Sequence, residues 1–303
     1  MGRTFYFDWE LSLMEWLQSF ESKVLNILAQ FFSMFGEELL LIAVLGFIYW
    51  CFDKEKGKRV AMAFLAAFAW CSLVKGAALR RRPYMDHDSV KCLRPPHSEG
   101  DLMDPKVQGF SCPSMHAGMS AAIFGSIGMM AKSKPLKLVC ALLPVFVGFS
   151  RVYVGVHYPT DVLLGWLLGS AAMLIVSLLF SRIANRKIVY GIFALSVLPG
   201  VFYCRDVEYF SALGLVVGFG AAFLFEEKFV NFENTRSPWK SIVRIVGGAA
   251  VFFAVSTLIK LPFPKDMRES ASAAAFALRS ARYAVSVFCA MGLYPMLFKK
   301  LKL

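Results

Sequence analysis

No two of the seven cysteines stand in a C-x-x-C pair, which argues against a zinc or dithiol redox motif. The opening residues, MGRTFYFDWE, lack a basic stretch followed by an apolar core, so no cleaved signal peptide is expected. Gly2 is followed by Tyr6 at the position where a myristoylation signal needs Ser or Thr. No internal repeat is evident, and no break in composition marks a second domain.

Apolar sequence is what the chain has in plenty. Of 303 residues, 57% are hydrophobic, and the mean hydropathy is +0.57. A soluble domain holds about half apolar residues, and several runs here approach the ~20 residues that cross a bilayer. The fold class expected is all-α, a polytopic membrane helical bundle. The net charge of +12 could suggest nucleic acid. In a membrane protein it reflects Lys and Arg on cytoplasmic loops, so no nucleic-acid partner is expected.

Between residues 9 and 35, Leu13, Trp16, Leu17, Phe20, Val24, Ile27, Leu28, Phe31 and Phe35 repeat at helical spacing. Ser12, Glu15, Ser19, Ser22, Asn26, Gln30 and Ser33 fall opposite. One apolar and one polar face suit a helix lying in the membrane interface; a tilted or packed span is the alternative. Nine spans follow, near 38–52, 60–79, 113–131, 136–153, 160–181, 188–204, 209–225, 241–262 and 273–298.

Short basic clusters set the orientation. Lys54, Lys56, Lys58 and Arg59 share one side with Lys132, Lys134 and Lys137, with Arg182, Arg186 and Lys187, with Lys228, Arg236 and Lys240, and with Lys299, Lys300 and Lys302. That side is expected to be cytoplasmic. The other carries the 80–112 loop and the stretch 150–161, and there Arg80, Arg81 and Arg82 break the rule. Taken alone, the three arginines read as a solvated interfacial cluster.

Three charged stretches converge on that second side: KGAALRRRP from Lys75, CPSMHAG from Cys112 and SRVYVGVHYPTD from Ser150. Arg offers a planar fork that matches phosphate oxygens. Ser114 and His116 stand at a helix start, where free backbone N–H groups favour an anion. His157 and Asp161 are four apart, so a helix starting here sets them on one face. A carboxylate against one imidazole nitrogen leaves the other free to attack, and His116 can give a proton to a leaving oxygen. Singly, each residue has an ordinary reading, such as Asp161 or Ser114 capping a helix. Those readings predict no particular order or spacing.

The order is that of a known family. Lys75 to Arg82-Pro83 reads K-x6-R-P, Pro113 to His116 reads P-S-x-H, and Ser150 to Asp161 reads S-R-x5-H-x3-D. With all ten fixed positions present, the chain resembles the type-2 phosphatidic acid phosphatase superfamily over residues 58 to 181. The resemblance implies a six-helix phosphatase core over 36–183, between an amphipathic interfacial helix at 1–35 and additional C-terminal transmembrane helices at 184–303. It implies a lipid phosphatase of the plasma membrane with its site facing outward, whose substrate is a lipid phosphate monoester or pyrophosphate of the phosphatidate, sphingoid-base phosphate or polyprenyl type. His157 would be the nucleophile that becomes a phosphohistidine, Asp161 would orient it, and His116 would protonate the leaving group and then activate water. Lys75, Arg82, Ser114, Met115 and Arg151 would hold the phosphate, with no metal or other cofactor.

Met115 departs from the glycine usual in the second signature. Phosphatases of long-chain sphingoid-base phosphates share such a departure, and their HAMS is similar to HAGMS here. Alternatives within reach of the same residues are a phosphatase of a small polar phosphate such as a sugar phosphate, a lipid phosphotransferase, and a non-catalytic anion-binding membrane protein. Finally, Cys92 and Cys112 bound a polar loop expected outside, where disulfides persist. Their pairing, closing about 20 residues for roughly 3 kcal/mol, is one expectation and two free thiols the other.

Overall fold

A computed structural model describes residues 2–96 and 100–303, which include no β-strand beyond a single bridge between Arg3 and Arg80. The helices that matter are α1 (Asp8–Ser19), α2 (Lys23–Met34), α3 (Glu38–Phe47), α4 (Lys54–Ala78), α5 (Met115–Met130), α6 (Lys134–Tyr153), α7 (Pro159–Arg182), α8 (Arg186–Val197), α9 (Val207–Phe225), α10 (Pro238–Lys260) and α11 (Ala273–Phe288). The chain is a multi-pass integral membrane protein. Among the described residues seven helices are long and apolar enough to cross a bilayer, or eight if α2 and Glu38–Phe52, bent by 45°, form one broken span.

That is fewer than the nine spans expected. The expected span 113–131 is the 16-residue α5, about 24 Å long at 1.5 Å per residue and short of the ~30 Å hydrocarbon layer. Most of α5 is buried in protein, so it need not match the lipid thickness.

The chain forms two compact units, one of residues up to Leu41 with Trp70–Leu174, the other of Ile42–Ala69 with Ile175–Leu303. In the first, the amphipathic stretch is two helices. The chain breaks at Phe20–Ser22, and the Ser22 hydroxyl accepts from Leu25 N–H to start α2. Trp16, Phe20, Val24, Ile27 and Phe31 stay exposed, whereas Glu10, Gln18 and Ser33 are buried. Ser12, Glu15, Ser19, Ser22 and Gln30 are exposed as well, so of the expected polar face only Ser33 is buried.

Helices α5 and α7 cross closely through glycines. A Cβ on Gly169 would lie 2.1 Å from the carbonyl oxygen of Gly118, and one on Gly165 would lie 2.4 Å from that of Ser114. The second unit repeats the device, because Gly214 and Gly218 of α9 would meet the carbonyls of Ser280 and Ala284 on α11 at 2.2 and 2.5 Å. This unit also buries an ion network in which Glu226 takes Lys54 at 3.1 Å and Lys58 at 3.2 Å.

Of the two expectations for Cys92 and Cys112, the structure has the second: both are free thiols. Cys92 packs against the cluster of Tyr84, Met85 and Tyr153. Cys112 is buried in the field of Asp161 and Arg80, and its thiol is pushed up to about 12 by burial first and then by Asp161. Each cysteine is thus held in different surroundings. Alkylation in denaturant without reductant, on protein purified under air, should add seven adducts, one for each cysteine. An intact mass two adducts short, with Cys92 and Cys112 unmodified, would show the bridge after all.

Candidate active site

Each signature sits where a helix stops or starts. Lys75 lies in the last turn of α4, and the chain then turns at Leu79, whose φ is 51°. Arg82 follows at the entry of a short helix, Pro83–Asp86. Its guanidinium is pinned by backbone carbonyls from two other segments. Nε donates to Gln108 at 3.0 Å and Gly109 at 3.1 Å, and Nη1 donates to Val156 at 2.9 Å. A side chain fixed this way is preorganised for an anion.

Ser114 is the N-cap of α5, and its N–H donates to the carbonyl of Asp161 at 2.9 Å, tying the start of α5 to the start of α7. Its hydroxyl is buried with no protein partner, so it and the first-turn N–H groups can serve an anion. The Met115 side chain, which has to find room where the family has glycine, lies with Sδ 3.2 Å from Lys75 Nζ. His116 packs against Gly36, where a Cβ would come within 2.8 Å of the His116 Cβ.

The third signature bridges α6 and α7. Arg151 is buried at the end of α6, donates from Nη1 to Ser33 Oγ at 2.6 Å, and has an Nε without a protein partner. Gly155 is required for the turn that follows. Its φ is +82°, and a Cβ there would lie 2.1 Å from the Lys91 carbonyl. His157 then sits with Nδ1 3.7 Å from Asp161 Oδ2 and Nε2 3.4 Å from Arg82 Nη1. Asp161 also accepts Tyr158 N–H at 2.9 Å, so it caps the helix and faces the imidazole at once.

All eight candidate site residues converge in one unit. Burial first, and then the charges of Arg82, Arg151 and Lys75, hold His157 well below the usual imidazole range. At neutral pH the ring is uncharged, with one nitrogen turned to a carboxylate and the other to cations. Such a ring can attack an electrophile held by those cations.

The sequence matches the model of the PAP2 superfamily over residues 56–187, and that of the PAP2 superfamily phosphatase, transmembrane extension, over 210–303. The chain belongs to the PAP2 superfamily. Among curated relatives, the undecaprenyl-diphosphatase of Sulfolobus acidocaldarius is 31% identical over 48% of this chain and 66% of its own length. The lipid A 1-phosphatase of Rhizobium johnstonii is 30% identical over 43% of this chain and 53% of its own. The chain therefore spans less than two thirds of either relative. The crystal structure of Aquifex aeolicus LpxE aligns with a TM-score of 0.49 at 25% identity, over 56% of this chain and 95% of that one.

Three neighbours of the PAP2 signatures were given no place in the site by sequence. Arg80 is no solvated interfacial residue. It is 2% exposed and donates from Nη1 to Asp161 Oδ1 at 2.7 Å and from Nη2 to Glu10 Oε2 at 2.8 Å. Glu10 and Ser33 lie in α1 and α2, outside both PAP2 matches. The only signal in the sequence was three successive arginines on the side that should carry few.

Proposed function

We propose that this PAP2 chain is an integral membrane phosphatase that hydrolyses a lipid phosphate monoester or pyrophosphate. The observation that carries the reading is His157, buried between Asp161 at one nitrogen and Arg82 at the other. Lys75, Arg82, Arg151, Ser114 and the Met115 N–H hold the phosphate oxygens. Nε2 of His157 attacks phosphorus as the bond to the leaving oxygen breaks, and that oxygen takes a proton from His116, which enters the cycle as the imidazolium that a bound phosphate dianion favours. Asp161 balances the positive charge of the phosphorylated ring. His116, now neutral, takes a proton from water, whose oxygen displaces Nε2 and releases inorganic phosphate.

The exposed apolar faces of α1 and α2 favour a substrate delivered from lipid, and both curated relatives carry names of phosphatases acting on lipid-linked phosphate. The placement of the short basic loops supports a plasma-membrane protein with its site on the extracytoplasmic side.

Phosphate release in detergent from a panel of phosphatidate, a sphingoid-base phosphate, a polyprenyl pyrophosphate and glucose 6-phosphate tests the reading. Turnover of at least one lipid is expected in excess EDTA, because the cations balancing the phosphate are protein side chains. Orthovanadate should inhibit as a five-coordinate analogue. Turnover of the sugar phosphate alone, or of none, would overturn the lipid assignment.

A further inference from the structure

Arg80 is the hinge of a buried charge cluster. Its Nε donates to the Phe5 carbonyl at 2.7 Å, and Nη1 reaches Thr160 Oγ1 at 2.8 Å as well as Asp161. Its face lies on the Tyr158 ring, 3.8 Å from the centroid. Burial works against its charge, but Asp161 and Glu10 outweigh that and raise it further, so Arg80 is a permanent cation. Glu10 is fully buried, and its other oxygen accepts from both the N–H and the hydroxyl of Thr160. The segment before α1 is laced to the same place, with Arg3 N–H donating to Leu79 at 2.8 Å and Arg81 N–H donating to Arg3 at 3.0 Å.

The charge arithmetic is informative. Asp161 paired with Arg80 alone would be a neutral pair, with little left to face a charged imidazole. Glu10 shares Arg80, so the cluster Glu10–Arg80–Asp161 keeps one net negative charge behind His157. In a buried site that charge is poorly screened.

Building on the assignment of His157 and Asp161 above, we propose that Glu10, from a segment outside both PAP2 matches, is a positioning residue: it occupies Arg80 so that Asp161 remains an effective counter-charge for His157. The groups facing His157 are Lys75 from α4, Arg82 from the loop after it, His116 from α5, Arg151 from α6 and Asp161 from α7, with Arg80 and Glu10 behind Asp161. Against these cations, the loss of one negative charge disfavours a positive ring.

The test is Glu10→Gln, which keeps the shape and one acceptor oxygen while removing the charge, assayed on whichever lipid phosphate the wild type turns over. kcat should fall roughly 10–100-fold, the scale of losing a group that orients a reacting one, with KM little changed. The acid limb of kcat/KM should move to lower pH, because the ring protonates less readily. In an Arg80→Gln background the same change should cost nothing more, since there is no cation left to occupy. Thr160→Val, which removes the hydroxyl contacts to Glu10 and Arg80 but no charge, should leave the acid limb in place. Overturning results are an unchanged kcat, a loss with the acid limb unmoved, a shift equalled by Thr160→Val, or losses that multiply with Arg80→Gln. Loss of all turnover in His157→Ala, with none of the Glu10→Gln effects, would sink this inference and leave the proposed function standing.

Discussion

His157→Ala should lose at least about 1,000-fold in turnover, the scale of removing a covalent nucleophile, while remaining a folded membrane protein. Among the described residues, no other imidazole stands where it could substitute. His116 is on α5 and packs against Gly36, and the remaining site groups are cations, a hydroxyl or the orienting carboxylate. The fold should survive, because His157 makes no hydrogen bond through Nδ1 and its Nε2 only faces Arg82 at 3.4 Å. Arg82 keeps its three carbonyl acceptors without it. The measurement is steady-state phosphate release beside gel-filtration homogeneity in detergent. A monodisperse variant keeping more than trace activity would remove His157 as the nucleophile. His116→Ala should lose less on a substrate with a good leaving group, because protonation matters less there.

How much of this was legible in the sequence differs by residue. The three signatures could be read because catalysis demands a fixed order of chemical types. The structure brings together Lys75, Arg82, Ser114, Met115, His116, Arg151, His157 and Asp161 from four helix ends and the loop after α4, as that order implies. Glu10 and Gln18 of α1 fell in neither face read from the sequence, and Ser33 only in the polar one, because periodicity reports which residues share a side and not what that side touches. With lipid outside, Glu10, Gln18 and Ser33 turn inward, and Gln18 donates to the carbonyls of Lys91 and Tyr153 at 2.9 Å each, beside the turn at Gly155. Arg80 was hidden for a related reason. Its partners Glu10 and Asp161 lie 70 and 81 residues away, and no local pattern encodes a contact at that separation. The span count also outran the structure, since hydropathy does not distinguish α5, buried by protein, from a helix buried by lipid.

The α5–α7 crossing sets the second large effect. Gly169→Ala should lower turnover by about 100-fold and destabilise the protein by about 1–3 kcal/mol. A Cβ at that position would sit 2.1 Å from the Gly118 carbonyl oxygen, whereas a carbon and a carbonyl oxygen approach to about 3.3 Å. The helices would have to separate by about 1 Å, a displacement able to cost 100-fold when it falls on reacting groups. It falls on them here because Ser114 N–H bonds the Asp161 carbonyl, so moving α5 from α7 parts the anion-facing helix start from the His157–Asp161 pair. Gly165→Ala should act the same way, at 2.4 Å from the Ser114 carbonyl. Gly191→Ala is the control. Nothing lies within 4 Å of its added methyl, so it should keep full activity and gain up to about 1 kcal/mol from helix propensity. Thermal melting in detergent and kcat/KM, measured on all three variants, decide the matter. Wild-type kinetics in Gly169→Ala would mean that the crossing can yield without disturbing the site, and the tie between Ser114 and Asp161 would then have no catalytic weight.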